Sequence, residues 1–294
     1  MVPSDLIPFE VIYEIFALLP LGDVISCRNV CKKWRIITQD LRLWCKIRLT
    51  ELYPHQLKVL PRIGYFRRQL LYVREFDAQP SLIVWKIHHL VDIIDLIKSA
   101  PLVSFHLELP YWHIPADIAT RMLISLPSSI IDLSLQGPFV VADSLIDLLA
   151  ANGSKLQRLT LSCTCLGDDV LVSIAQYCTS LKHLSLTKLY CITSSGMRDF
   201  LIFAMSPRLS SLKIDFFSVD PAWIDHYIMR QRAIGARQLE FLSIEGCDLF
   251  TLTDIMQLRR ITNGKCSIIH SAVLEDNTLD AYRRFVDMMT RCSP

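Results

Sequence analysis

The feature that most constrains this fold is an apolar pattern, L-x-x-L-x-L, that recurs every 20 to 30 residues in the second part of the chain. The last two apolar residues of each copy alternate with polar ones, as on one face of a β-strand. Helical patterns lie between the copies, for example over 144–150 and 169–178, where apolar residues follow a 3.6-residue period. Seven copies begin at Leu82, Leu102, Ile130, Leu156, Leu181, Leu209 and Leu239, and a weaker one lies around Cys266–His270.

One strand and one helix per repeat is the signature of a leucine-rich-repeat solenoid. The alternative, an ordinary α/β domain, predicts glycine-rich turns and a phosphate-binding fingerprint, and the sequence contains neither. We therefore predict an α/β fold with parallel strands on a concave face and helices on a convex face. About seven to eight repeats are expected over 79–275, followed by a capping helix over 276–294.

The first 48 residues have a different pattern, typical of several short helices. Pro8 suits a first helical turn, Pro20 ends the run that follows, and Gly22-Asp23 begins the next segment. So small a bundle cannot bury all of its apolar side chains within itself. The surplus predicts either a partner interface or docking onto the rest of the same chain, and the composition leaves both alternatives open.

This N-terminal region resembles an F-box. The segment from Ile7 to Val24 resembles the opening of that family, Val30-Cys31-Lys32-Lys33-Trp34 resembles its Val-Cys-x-x-Trp segment, and Leu43-Trp44 resembles its closing pair. We predict an F-box at 1–48 and a helical linker at 49–78.

The resemblance implies a module that binds a Skp-family adaptor and, through it, a cullin. Such a module inserts apolar helix faces into a groove, and we expect Phe16 and Trp34 to dominate the affinity. The residues that the resemblance assigns to adaptor binding are Leu6, Pro8, Val11, Ile12, Ile15, Phe16, Leu19, Val24, Val30, Cys31 and Trp34.

The repeats are expected to hold a target protein, because the concave face of a solenoid is an extended binding surface. Charge gathers toward the C-terminal end of that face, where we predict target-binding residues: Lys213, Asp215, Ser243 and Glu245. The expected function is that of a substrate-recognition subunit of a Skp–cullin–F-box ubiquitin ligase. The alternative is a binding protein that sequesters or scaffolds a partner outside a ligase. No catalytic residues are predicted, and the chain is not expected to be an enzyme.

Composition and charge exclude several other classes. Hydrophobic residues make up 51% and mean hydropathy is +0.33, yet the apolar stretches are interrupted by charges, so no membrane span is predicted. The net charge of +2 gives no reason to expect nucleic-acid binding, although 27–74 holds twelve Lys and Arg against Asp40 and Glu51. The ten cysteines indicate reduced thiols in the cytoplasm or nucleus, and Cys163-x-Cys165 lacks paired metal-ligand spacing. We predict no metal and no cofactor.

Overall fold

The computed structural model describes residues 7–53, 55–56, 64–79, 87–109, 115–162, 165–189, 191–204, 208–215, 217, 219–233, 239–247 and 249–270. Leu6 and the predicted capping helix at 276–294 therefore lie outside the described residues. Three short helices come first, α1 (Phe9–Ala17), α2 (Leu21–Cys27) and α3 (Lys32–Ile37), followed by a 3-10 turn over Leu41–Trp44.

The rest of the described chain alternates between strands and helices. Nine strands form one sheet: β1 (Lys46–Arg48), β2 (Glu75–Ala78), β3 (Ser104–Glu108), β4 (Asp132–Gln136), β5 (Arg158–Ser162), β6 (His183–Thr187), β7 (Ser211–Asp215), β8 (Phe241–Ile244) and β9 (Ser267–His270). The helices between them are α4 (Gly64–Leu70), α5 (Ile87–Ile97), α6 (Ala116–Ile124), α7 (Ala142–Asn152), α8 (Asp168–Tyr177), α9 (Ser194–Asp199), α10 (Pro221–Ala233) and α11 (Leu252–Ile261). A π-helical turn, Phe200–Ala204, continues α9.

All strand pairs are parallel, and the strands lie side by side in sequence order. Their register aligns equivalent positions of successive repeats, so that Leu133, Leu159 and Leu184 form one continuous row. These residues are almost fully buried, and each such leucine contributes about 1.5–3 kcal/mol to folding. The predicted solenoid architecture is confirmed, including the strand expected around Cys266–His270.

The strand beside β3 differs from the predicted one. The copy at Leu82, Trp85 and Ile87 was expected to form the first strand; Leu82 and Trp85 lie outside the described residues, whereas Ile87 begins α5 and β3 pairs directly with β2. The true copy is Val73-x-x-Phe76-x-Ala78, whose three apolar residues are all buried. Phe76 stacks on Phe105 of the next strand, with ring centroids 5.4 Å apart.

The sheet also begins earlier than expected. Trp44-x-x-Ile47-x-Leu49 repeats the same spacing one step upstream, all three side chains are buried, and Ile47 pairs in register with Phe76. Strands therefore occur both within the segment matched to the F-box pattern and within the predicted helical linker.

Among the described residues, no helix has the length and apolar character that crossing a membrane requires.

Candidate functional site

The first candidate surface is an apolar stripe on α1, formed by Val11, Ile15 and Leu18. These residues are separated by four and three positions, which places them on one side of a helix. Their side chains are 48%, 49% and 87% exposed. Three large apolar residues exposed side by side on one short element are typical of a docking surface. We call this surface the α1 stripe.

A small core supports the stripe from below. Ile12, Phe16 and Ile37 are buried together where α1 packs on α3, and Trp34 packs against them. The rings of Phe16 and Trp34 meet edge to face, with centroids 5.2 Å apart. Aromatic pairs prefer this geometry because the positive edge of one ring faces the negative face of the other.

Burial divides the predicted adaptor-binding set, whose role in adaptor binding stays a prediction. Ile12, Phe16 and Val24 are at most 3% exposed, so they shape the module from inside and offer little surface to a partner. The sequence did not separate the two roles because core and contact residues on a short helix alternate within the same apolar pattern.

The other predicted positions have varied surroundings. Pro8 and Val30 are exposed, whereas Leu19 and Trp34 are partly buried. Cys31 acts as the N-cap of α3, where its Sγ accepts a hydrogen bond from the backbone N–H of Trp34 at 3.4 Å.

Four exposed apolar residues were missing from the prediction: Phe9, Leu18, Ile36 and Leu41. Helical spacing could have identified Leu18, which lies seven positions after Val11 and therefore on the same side of the helix.

Three of the twelve basic residues in 27–74 form ion pairs within the chain. Arg42 forms a bidentate ion pair with Asp40, and its guanidinium carbon lies 4.0 Å from the centroid of the Tyr13 ring. The Arg42 guanidinium holds the pKa of the Asp40 carboxyl below its usual range. Arg48 pairs with Glu51 at 2.9 Å, and Lys46 pairs with Glu75. These pairs reduce the basic surface that is available to an acidic partner.

A shared core joins the N-terminal helices to the sheet. Leu21 and Ile25 of α2 belong to the same buried cluster as Trp44, Ile47 and the leucines of the repeats. The indole N–H of Trp44 donates to the Thr38 carbonyl oxygen at 2.9 Å, and its ring lies 5.4 Å from that of Phe66.

Hydrogen bonds reinforce this junction. The side-chain amide of buried Gln56 donates to the Gly22 carbonyl oxygen at 2.8 Å, and the Tyr53 hydroxyl donates to Asp23 at 2.8 Å. The Glu51 carboxylate accepts from the backbone N–H of Leu21, the first residue of α2, at 3.1 Å. Gly22 is required at this close approach because a Cβ there would clash with the Glu51 carbonyl oxygen.

The second candidate surface is the polar face of the sheet. Here the structure corrects the exposure expected for two predicted target-binding residues, Asp215 and Ser243, each only 1% exposed. One Asp215 oxygen accepts from the Ser243 hydroxyl at 2.8 Å and from the backbone N–H of Glu245 at 3.0 Å; the other pairs with Lys213 at 2.9 Å. This carboxylate therefore holds the turn after β8 in place. Lys213 and Glu245 remain partly exposed.

Charge is also concentrated earlier on this face, where no binding residues were predicted. Asp132 of β4 lies between His106 of β3, at 3.3 Å, and Arg158 of β5, at 2.8 Å. The hydrogen bond to Asp132 raises the pKa of His106. Burial alone would raise the pKa of Asp132, but hydrogen bonds from His106 and Arg158 outweigh that effect and lower it.

Ser104, His106 and Asp132 have the residue types of a catalytic triad but the wrong geometry. The Ser104 hydroxyl lies 3.1 Å from Nε2 of His106, and the Asp132 carboxylate faces that same nitrogen. A triad needs the base and the orienting acid on opposite ring nitrogens. Within the described ranges, no three His, Cys, Asp or Glu side chains are grouped to hold a metal.

Comparison with known proteins agrees with this division. Residues 5–50 match the F-box-like family. Over 247 residues, the chain is 25% identical to F-box/LRR-repeat protein 21 of Mus musculus, a match that covers 78% of this chain and 56% of that protein. The chain thus spans little more than half the length of this curated relative.

A solved structure, of the Rad7 and Elc1 complex in yeast, aligns with 89% of this chain and 92% of that chain, at 14% identity and a TM-score of 0.35. That score is low, so the solenoid assignment rests on the strand order and register of the chain itself. The chain therefore combines an N-terminal segment that matches the F-box-like family with a leucine-rich-repeat solenoid.

Proposed function

We propose that this protein is a substrate-recognition subunit of a Skp–cullin–F-box ubiquitin ligase, acting in the cytoplasm or nucleus. In this role the F-box-like domain binds a Skp-family adaptor, and through it a cullin, while the concave face of the repeats holds a target protein. The observation that carries the proposal is the exposed α1 stripe within the matched domain.

The α1 stripe has the properties of a helix-in-groove contact. Its residues repeat at the i, i+4, i+7 spacing by which an amphipathic helix presents anchors to a groove. The buried core beneath it fixes the helix, so binding does not require ordering the side chains that support the stripe.

The junction at Trp44 supports a scaffold role. A flexible linker would let the target sample many positions, whereas a shared core fixes the solenoid relative to the adaptor-binding helices. A fixed geometry raises the effective concentration of target lysines near the conjugating enzyme. This contribution requires no catalytic residue in the chain itself.

The adaptor-binding step is tested by substitution in the α1 stripe. We expect Ile15→Asp to weaken binding of a purified Skp-family adaptor by at least about 30-fold, since loss of a central interface anchor costs ~2 kcal/mol or more. Val172→Asp is the matched control, because Val172 is 63% exposed on α8 of the solenoid. Equal adaptor affinity of both variants and the native protein, measured by calorimetry, would contradict the proposal.

The ligase role is tested separately in cells, by inhibiting the cullin. Proteins captured by the repeats in cells should accumulate when the cullin is inhibited, and Ile15→Asp should produce the same accumulation. Adaptor binding without any cullin-dependent change in the captured proteins would favour the alternative role of a binding protein outside a ligase.

A further inference from the structure

Two cysteines lie in neighbouring turns of adjacent repeats, at the rim of the solenoid. Cys165 lies in the turn that follows β5, and Cys191 lies in the equivalent turn that follows β6. The two strands are paired in register up to Ser162 and Thr187. Neighbouring strands are about 4.8 Å apart, so two turns that follow paired strand ends begin at about that separation. A disulfide joins Cα atoms that are about 4.4–6.8 Å apart, which includes this value.

The two turns are tied together just beyond the cysteines. The Asp168 carboxylate accepts hydrogen bonds from the backbone N–H and the hydroxyl of Thr193, at 2.8 and 2.5 Å. Asp168 also lies so close to Gly196 that a Cβ at that glycine would clash with the carboxylate. The approach of the two turns is therefore fixed by contacts that do not involve the thiols.

The thiols themselves are accessible. Each cysteine lies in a segment that is held against the other segment at both ends, by the strand pairing up to Ser162 and Thr187 and by the hydrogen bonds between Asp168 and Thr193. Of the cysteines that the structure describes, these two are exposed, whereas Cys178, Cys247 and Cys266 are buried. Only an exposed thiol can react with an oxidant in solution, so these two cysteines are expected to be more reactive than the cysteines buried in the core.

We propose that Cys165 and Cys191 form a reversible dithiol–disulfide centre that covalently links two adjacent repeats beside the concave face. Its reactants are a hydroperoxide in the oxidising direction and a low-molecular-weight thiol in the reducing direction. This inference is independent of adaptor binding.

The oxidation balances as two successive displacements. The Cys191 thiolate attacks the hydroperoxide, so that an S–O bond forms, the O–O bond breaks and the alkoxide leaves with a proton as an alcohol. The Cys165 thiolate then attacks the resulting sulfenic sulfur, so that the S–S bond forms and hydroxide leaves, taking a proton to become water. Two thiols lose two electrons and two protons, and the hydroperoxide is reduced. Two molecules of a small thiol reverse the change and become its disulfide.

The order of attack follows from the surroundings of Cys165. Burial, followed by the neighbouring Cys191 thiol, raises the pKa of the Cys165 thiol above its usual value. Because the thiolate is the nucleophile, Cys165 suits the second step, which is intramolecular and joins two turns that are already held together.

Mass spectrometry of the full chain tests the link directly. After treatment with hydrogen peroxide and alkylation of the remaining thiols, trypsin without reductant should release peptide 159–182 joined to peptide 189–198. The link should be lost in Cys165→Ser and Cys191→Ser and should persist in Cys163→Ser and Cys178→Ser, which alter the other cysteines of the first peptide. Adding reduced glutathione should abolish the link.

A second measurement does not depend on oxidation. Phenylarsine oxide forms two As–S bonds with neighbouring thiols and releases water, so the native chain should bind it and Cys191→Ser should lose that binding. Circular dichroism of each variant establishes that it is folded. Three results would overturn the proposal: a link that persists in Cys165→Ser, a link that requires Cys163, or full alkylation of both cysteines after peroxide together with no loss of arsenical binding in Cys191→Ser.

Discussion

The side chains of Val11, Ile15 and Leu18 on α1 remain exposed. In β4–β7, by contrast, the apolar residues at equivalent positions of successive repeats are covered by the repeats on either side. The difference arises from repetition. A strand–helix unit in a solenoid always has a neighbour with the same apolar face, so its buried surface grows with every repeat. Three short helices have no such neighbour, and a small bundle leaves part of its apolar surface uncovered. The uncovered part is available to a partner.

The largest expected effect comes from breaking the core that the two regions share. Trp44→Ala removes a fully buried indole from the cluster that contains residues of both α2 and β1, and we expect a loss of about 3–5 kcal/mol in the free energy of unfolding. Hydrogen exchange should show reduced protection in both the N-terminal helices and β1–β3, because this cluster includes Leu21 and Ile25 of α2 as well as residues of these strands. Loss of protection confined to α1–α3 would show that the regions are independent. Trp44→Phe, which keeps a ring but loses the bond to Thr38, should cost less.

A smaller effect is expected at the close contact between α2 and the turn after β1. Gly22→Ala places a methyl group against the Glu51 carbonyl oxygen, so backbone must move, and overpacking of this kind costs about 1–3 kcal/mol. Gly167→Ala is the matched substitution in the solenoid, where the new methyl would meet only the movable Asp169 side chain. Urea unfolding should show a larger loss for Gly22→Ala, and equal losses would contradict the assigned contact.

The smallest effect concerns the ion pair on the polar face of the sheet. The folded-state pKa of His106 is raised above its ordinary value of 6.5, so the stability it contributes is fully present below about pH 6.5 and is lost as the pH rises through the folded-state pKa. Because His106 is partly exposed, we expect no more than about 0.5–1 kcal/mol. Urea unfolding across this pH range should show the decline, and His106→Gln should remove it. His183→Gln, on an exposed strand position three repeats away, should retain it.

The sequence predicted β3–β9 because the same spacing of apolar residues recurs at each of these strands. Several copies in succession indicate strands even where one copy alone could also be a helix. It failed at β1 and β2, where Trp44, Phe76 and Ala78 take the places of leucines and an accidental copy at Leu82 competes with the true one. Allowing aromatic residues and alanine in the pattern would have found both strands.

The exposure of the predicted adaptor-binding residues did not follow from the sequence. The resemblance located the module, but Phe16 occupies its core whereas Leu18 is exposed, and only the packing of α1 on α3 distinguishes these roles. The charged group of His106, Asp132 and Arg158 escaped notice because its members are more than 20 residues apart in sequence and meet only when β3, β4 and β5 pair.

By itself the sequence determined the solenoid, its repeat length and the presence of an apolar N-terminal module, since all three follow from the local spacing of apolar residues. Only the tertiary structure decided how the two parts are joined. Trp44 closes the F-box pattern and also begins the first repeat of the sheet, so a single buried side chain belongs to both regions. A sequence pattern assigns a residue to one structural element at a time, whereas packing in three dimensions allows one side chain to belong to the cores of two elements.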